Sequence, residues 1–170
     1  FIVRLLMHDD DRLVDLRLLI GEERLLGLSR ELACETDLTC FETCTGIQCP
    51  HLCPPTMVPL LLYCYASGLY GSDEIERRFD SDERIRALCG DKVLESFRIR
   101  RFRQDHRKLV QQSLCELLRE VRRLLNHDQA APAGTLGPAP GEGNDGEACE
   151  QEAKLRLDLA AHADNLEIDD

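Results

Sequence analysis

The chain has 170 residues, 43% of them hydrophobic, and a formal net charge of −11, which allows one domain with a real core plus a tail. No stretch approaches the ~18 apolar residues of a membrane span, and the opening FIVRLLM is too short for a signal peptide. Nine cysteines without a secretory signal point to reduced thiols and not to a disulfide framework. A cytoplasmic protein without membrane contact is the expectation, and Phe1 in place of an initiator Met suggests that the numbering starts inside a longer product.

The segment DRLVDLRLLI follows Asp9, Asp10 and Asp11, carboxylates that suit the positive end of a helix, and Gly21 is a plausible stop. In GEERLLGLSRELACE, Leu25, Leu28 and Leu32 recur at helical spacing and form a stripe that needs a partner. Both segments read as core-forming helices. Residues 40–55, CFETCTGIQCPHLCPP, are a loop by composition, because Pro50, Pro54 and Pro55 forbid a continuous helix. Cys40, Cys44, Cys49, His51 and Cys53 are candidate zinc ligands, since paired thiolates a few residues apart can reach one tetrahedral ion. The cluster falls within fourteen residues, whereas structural sites draw ligand pairs from separated turns, so no metal is expected.

Beyond the loop, Thr56 is placed as a helix cap with Pro59 in the first turn, and Leu60, Leu61, Cys64, Tyr65 and Leu69 make residues 57–69 almost wholly apolar. Such a helix belongs at the centre of a bundle. Ser72 and Ser81 are N-cap candidates for two short helices, with Asp73, Glu74 and Asp82, Glu83 in their first turns, and Gly90 ends the second. The next stretch, SFRIRRFRQDHRKLVQQSLCELLREVRRLL, reads as one long amphipathic element or two joined ones. Ile99, Phe102, His106, Leu109, Val110, Leu114, Leu117, Val121 and Leu124 follow its buried stripe, and His106 is expected to be a packed histidine.

Charge is unevenly spread: net −5 over residues 1–56, +3 over 57–127 and −9 over 128–170. Within 98–108, Arg98, Arg100, Arg101, Arg103, Arg107 and Lys108 stand against Asp105 alone. Charge beyond ~8–10 Å is screened, so a phosphate backbone would feel this local excess and not the chain total. Arg100, Arg103 and Arg107 are placed within an arc of about 60° opposite the apolar stripe, with Arg101 and Lys108 in a neighbouring row. The plain alternative is a solvated face, weakened by the single anion in the run. Three short helices followed by a basic one have the outline of a helix-turn-helix reader, which many three-helix bundles share.

YASGLYGSDEIERRFDSDERIRALCG followed by IRRFRQDH resembles the N-terminal helical domain of bacterial insertion-sequence transposases of the DDE class, over residues 38–125. In that family a "Y-A-x-G…S-x-x-I-E" helix pair leads into "F-R-x-L-x-G" and then "P-D-x-x-T-I-x-x-F-R-x-x-H". Tyr65, Ala66 and Gly68 fit the first helix, and Ser72, Ile75 and Glu76 the second; Arg86, Leu88 and Gly90 fit the third, and Ile99, Phe102, Arg103 and His106 the fourth. Leu94-Glu95 replaces the family's Pro-Asp, and Arg98 its Thr. The resemblance implies DNA as partner, in the family the terminal repeats of a transposon. It places no metal in the cysteine loop.

After Asn126 the stripe collapses into QAAPAGTLGPAPGEGNDGEA, read as an Ala/Pro/Gly-rich flexible linker over 128–147. The acidic tail 148–170 can form a helix with Leu155 and Leu159 on one side, and either folds back on the basic face or stays mobile. The family's first catalytic Asp lies in a "D-G-T-x-x-x-A" strand soon after its helical domain, and two more carboxylates complete a two-metal site. That motif is absent, so no catalytic residue and no cofactor is assigned.

The sequence thus predicts an all-α, compact multi-helix bundle over 1–127 with a helix-turn-helix-like portion, then linker and tail. The expected function is DNA binding through the Arg-rich helix, by a truncated or degenerate transposase relative that is not catalytic alone. The competing reading is a helical protein-protein interaction module with no nucleic-acid role, whose Leu stripes self-associate or whose acidic ends bind a basic partner.

Overall fold

The computed structural model describes residues 13–35, 54–90, 93–129 and 142–168. Among these are eight helices: α1 Arg17–Ile20, α2 Glu22–Glu35, α3 Pro54–Ala66, α4 Ser72–Phe79, α5 Glu83–Cys89, α6 Ser96–Asp105, α7 Arg107–Gln129 and α8 Glu142–Ile168. The all-α expectation holds. At the centre is α3, in contact with α2, α5, α7 and α8, while α7 and α8 pack along each other. Every residue from Met57 to Ala66 is buried, as expected for a helix with no polar face.

Several helix ends differ from the sequence expectation, each for a local reason. Helix α1 is a single turn, because the Leu16 N–H is bonded to the Ala66 carbonyl (2.9 Å) and the Asp15 carboxylate accepts from the Arg17 N–H (2.9 Å). Asp9, Asp10 and Asp11 lie outside the described residues, and capping falls to Asp15. Gly21, at φ 84°, ends the turn. Helix α3 begins at Pro54, so Thr56 is inside it and not its cap, and Pro59 sits in the second turn, without an N–H for the Pro55 carbonyl. Asp82, and not Ser81, caps α5, accepting from the N–H groups of Arg84 and Ile85. The long amphipathic stretch is two joined helices that meet at His106.

The C-terminal end of α3 is closed twice over. Gly68, at φ 79°, takes the left-handed conformation that lets the Leu69 N–H reach the Cys64 carbonyl (2.8 Å) and the Gly68 N–H reach that of Tyr65 (3.3 Å). The Arg156 guanidinium of α8 then donates to the Tyr65 carbonyl (2.7 Å) and the Ala66 carbonyl (3.5 Å). A few residues on, the Ser72 N–H that opens α4 is capped by Asp164 of α8 (2.8 Å), which also accepts from the Ser72 hydroxyl (3.0 Å). Ser72 is therefore held by a carboxylate from 92 residues away and does not cap its own helix.

Helix α8 reaches back into the stretch expected to be linker: residues 142–147 belong to it, and 128–129 to α7. Its buried side is Cys149, Glu152, Ala153, Arg156, Leu157, Ala160 and Asp164, whereas Leu155 is exposed and Leu159 only half-buried. The expected Leu155/Leu159 face is thus replaced by one of small and charged residues. The acidic C-terminal segment is part of the core and not an appendage to a finished domain.

Asp164→Ala would strand the Ser72 N–H and remove a carboxylate from Arg103. Breaking a buried pair by removing one partner destabilises by about 3–5 kcal/mol. Urea unfolding is expected to show that loss for Asp164→Ala and a change within about 1 kcal/mol for Asp158→Ala, whose exposed ion pair is worth little.

Candidate nucleic-acid interface

The six cations of 98–108 are divided between two helices and face different ways. Ile99 and Arg103 are one helical turn apart, i to i+4, so Arg103 shares the inward side of α6. It is 3% exposed, donates to the Tyr65 hydroxyl (3.2 Å) and is ion-paired with Asp164. Arg100 lies toward α4 and α8, paired with Asp73 at 2.5 Å and within 3.7 Å of Asp164. Arg107 pairs with Asp158 of α8 at 2.5 Å. The expected outward arc of Arg100, Arg103 and Arg107 is therefore corrected: these three form the seam along which α4, α6, α7 and α8 meet.

Arg101 and Lys108 point to solvent. Arg101 is 74% exposed, with its i+4 neighbour Asp105 at 3.5 Å. Arg98 is half-buried beside Glu95 and lies over the Phe97 ring, 5.5 Å from its centroid. His106 forms the break between α6 and α7, with its ring 4.6 Å from that of Phe102, and burial holds its pKa below the usual histidine value. The ring packs on Phe102 as the stripe leads one to expect, but His106 is half-buried at the helix break and not in the core.

Further along the same seam, Arg119 pairs with Glu150 (3.3 Å) and Arg122 with Glu152 (3.3 Å), and Arg122 also donates to the Asp145 carbonyl (3.1 Å). Arg156, fully buried, was not singled out from sequence. It donates to Glu152 (2.8 Å), the Val14 carbonyl (2.9 Å) and the Tyr70 hydroxyl (3.3 Å), besides the end of α3. The signal that marks it is the row Cys149, Ala153, Leu157, Ala160, whose spacing sets the buried side of α8 and draws Glu152 and Arg156 onto it.

Cys40, Cys44, Cys49, His51 and Cys53 lie outside the described residues. Among the described residues no group of three or more His, Cys, Asp or Glu side chains could hold a metal ion.

The core holds protonated acids that become costly at high pH. Burial raises the Tyr65 phenol from 10.0 to about 12, against the opposing charge of Arg103, and burial raises the Cys149 thiol from 9.0 to about 11. Both groups are neutral when protonated, and the unfolded chain loses these protons first. Their contribution to stability is therefore full below about pH 8.5 and is lost as pH rises through 11 to 12. Chemical denaturation across pH 7–12 is expected to show that fall, with the lower end of the loss reduced by Cys149→Ala but not abolished, since burial also raises the Cys64 and Cys115 thiols.

No family model, curated protein or solved structure matches this chain.

Proposed function

We propose that the chain is a DNA-binding helical domain of the insertion-sequence transposase N-terminal kind, which does not cleave DNA by itself. The observation that carries this reading is the basic run at the α6–α7 junction, of which Arg101 and Lys108 are turned outward. It is joined by the motif resemblance across residues 65–106. In this reading phosphates are met first by Arg101 and Lys108, with Arg98 and Arg107 at the margin, while Arg103 serves the fold.

Helix α8 acts as a built-in competitor. Asp158 holds Arg107 at an exposed pair, in the way a phosphate would. Because Arg156 and Asp164 make α8 part of the core, the competition works at the level of side chains and does not require the helix to leave.

A second reading, a helical interaction module without a nucleic-acid role, is favoured by one finding: Arg98, Arg100, Arg101, Arg103 and Arg107 each already have a carboxylate partner. Counterion release separates the two. Titration of labelled duplex at several salt concentrations is expected to give a log–log slope of about −0.9 per phosphate engaged. Arg101→Ala with Lys108→Ala should flatten it by about 2 units, and Asp158→Asn, which frees Arg107, should steepen it by about 1. Equal weak binding with one slope for all variants would favour the interaction module. No nicking or strand transfer is expected with Mg²⁺ or Mn²⁺; nicking of terminal-repeat DNA that a single Asp→Ala change abolishes would overturn the non-catalytic assignment.

A further inference from the structure

Phe97 is 57% exposed and is the one large aromatic among the exposed hydrophobic residues of the described chain. The inward positions of α6 are already taken by Ile99 and Phe102, so the ring has no place in the core. One turn later on the same side stands Arg101, 74% exposed, and Gln104, also exposed, follows at i+7. The Arg98 guanidinium lies over one face of the Phe97 ring at 5.5 Å, and the residue remains largely exposed. An exposed aromatic ring with the half-buried Arg98 over it, an exposed cation one turn on and an exposed amide thus lie along one outer strip of α6.

We infer that this strip is a nucleobase-stacking site, and that its ligand is DNA in which a base is unpaired or unstacked. The inference rests on the DNA-binding reading above and adds the kind of DNA. Every base has a π-face that an aromatic side chain can receive, and wedge-like apolar side chains stabilise unstacked steps. With the base on Phe97, Arg101 meets the neighbouring phosphate, which takes the place of Asp105. Gln104 offers both a donor and an acceptor to a base edge. A basic partner would meet Arg101, more exposed than its partner Asp105 (74% against 57%), and an apolar one would have to strip charge from both.

The test uses the full chain and three labelled DNAs of equal length: a perfect duplex, a duplex with a one-base bulge of 2-aminopurine, and a single strand. The parent should prefer the bulged and single-stranded forms and quench the 2-aminopurine. Phe97→Ala should lose about 10-fold in affinity for those two forms, and the quench, while keeping the parent's salt slope on perfect duplex. Phe97→Tyr should restore both. If Phe97→Ala binds all three DNAs as the parent does, stacking is wrong and the DNA reading survives. If the parent binds none of them, both fall. Sedimentation of the free chain gives the remaining outcome: a dimer that Phe97→Ala dissolves would mean the ring serves a second copy, and the stacking site would be abandoned.

Discussion

The structure depends on the way α8 clamps the break between α3 and α4. A helix that ends in the core leaves carbonyls without partners, and one that begins there leaves N–H groups without partners. Here α8 brings a guanidinium to the first set and a carboxylate to the second: Arg156 to the Tyr65 and Ala66 carbonyls, Asp164 to the Ser72 N–H. Each charge also has the sign that the neighbouring helix dipole favours, cation at a C-terminal end and anion at an N-terminal one. Arg156 in turn is neutralised by Glu152, and Asp164 by Arg103. The buried charges therefore form a chain with few loose ends, which is what makes their burial tolerable.

That clamp explains what becomes of the basic run. Once Asp164 is fixed at the start of α4, Arg103 and Arg100 have a carboxylate within reach on the inward side, and Asp158, exposed on α8, meets Arg107. The excess positive charge of 98–108 is thus largely balanced by acids from elsewhere in the chain. A nucleic acid would compete for the outer cations and leave the inner ones to the fold. The same division leaves Phe97 and Arg101 exposed on the outer strip of α6.

Apolar burial and ionic capping have separate tasks in this bundle. Helix α3, buried along almost its whole length, supplies the dry centre that α2, α5 and α7 cover. Helix α8 adds little large aliphatic surface, with Leu157 the one bulky apolar residue on its fully buried side. Its hold comes from hydrogen bonds and ion pairs whose geometry is specific. No described helix is long and apolar enough to cross a membrane.

Local pattern was enough for much of this. The apolar run 57–69 holds a central helix, as its pattern requires, although that helix ends at Ala66; the Leu25/Leu28/Leu32 stripe is an amphipathic one, and Gly21 and Gly90 do end helices at positive φ. The stripe from Ile99 to Val121 also lies inward, because a period near 3.6 leaves little choice of face. Local pattern places the caps of α4 and α5 one residue off, and those of α1 and α3 further off, because only packing decides which of several polar side chains meets the free N–H groups. Most of the candidate surface was decided by tertiary structure. Composition shows six cations near one anion, but whether an arginine faces water or a carboxylate depends on distant segments, as Arg103 and Asp164, 61 residues apart, demonstrate. Nor could local pattern reveal α8 as a clamp: Arg156 and Asp164 are unremarkable in an acidic segment, and they gain their roles only when that helix lies across the ends of α3 and α4, where unpaired backbone groups await a charge of each sign.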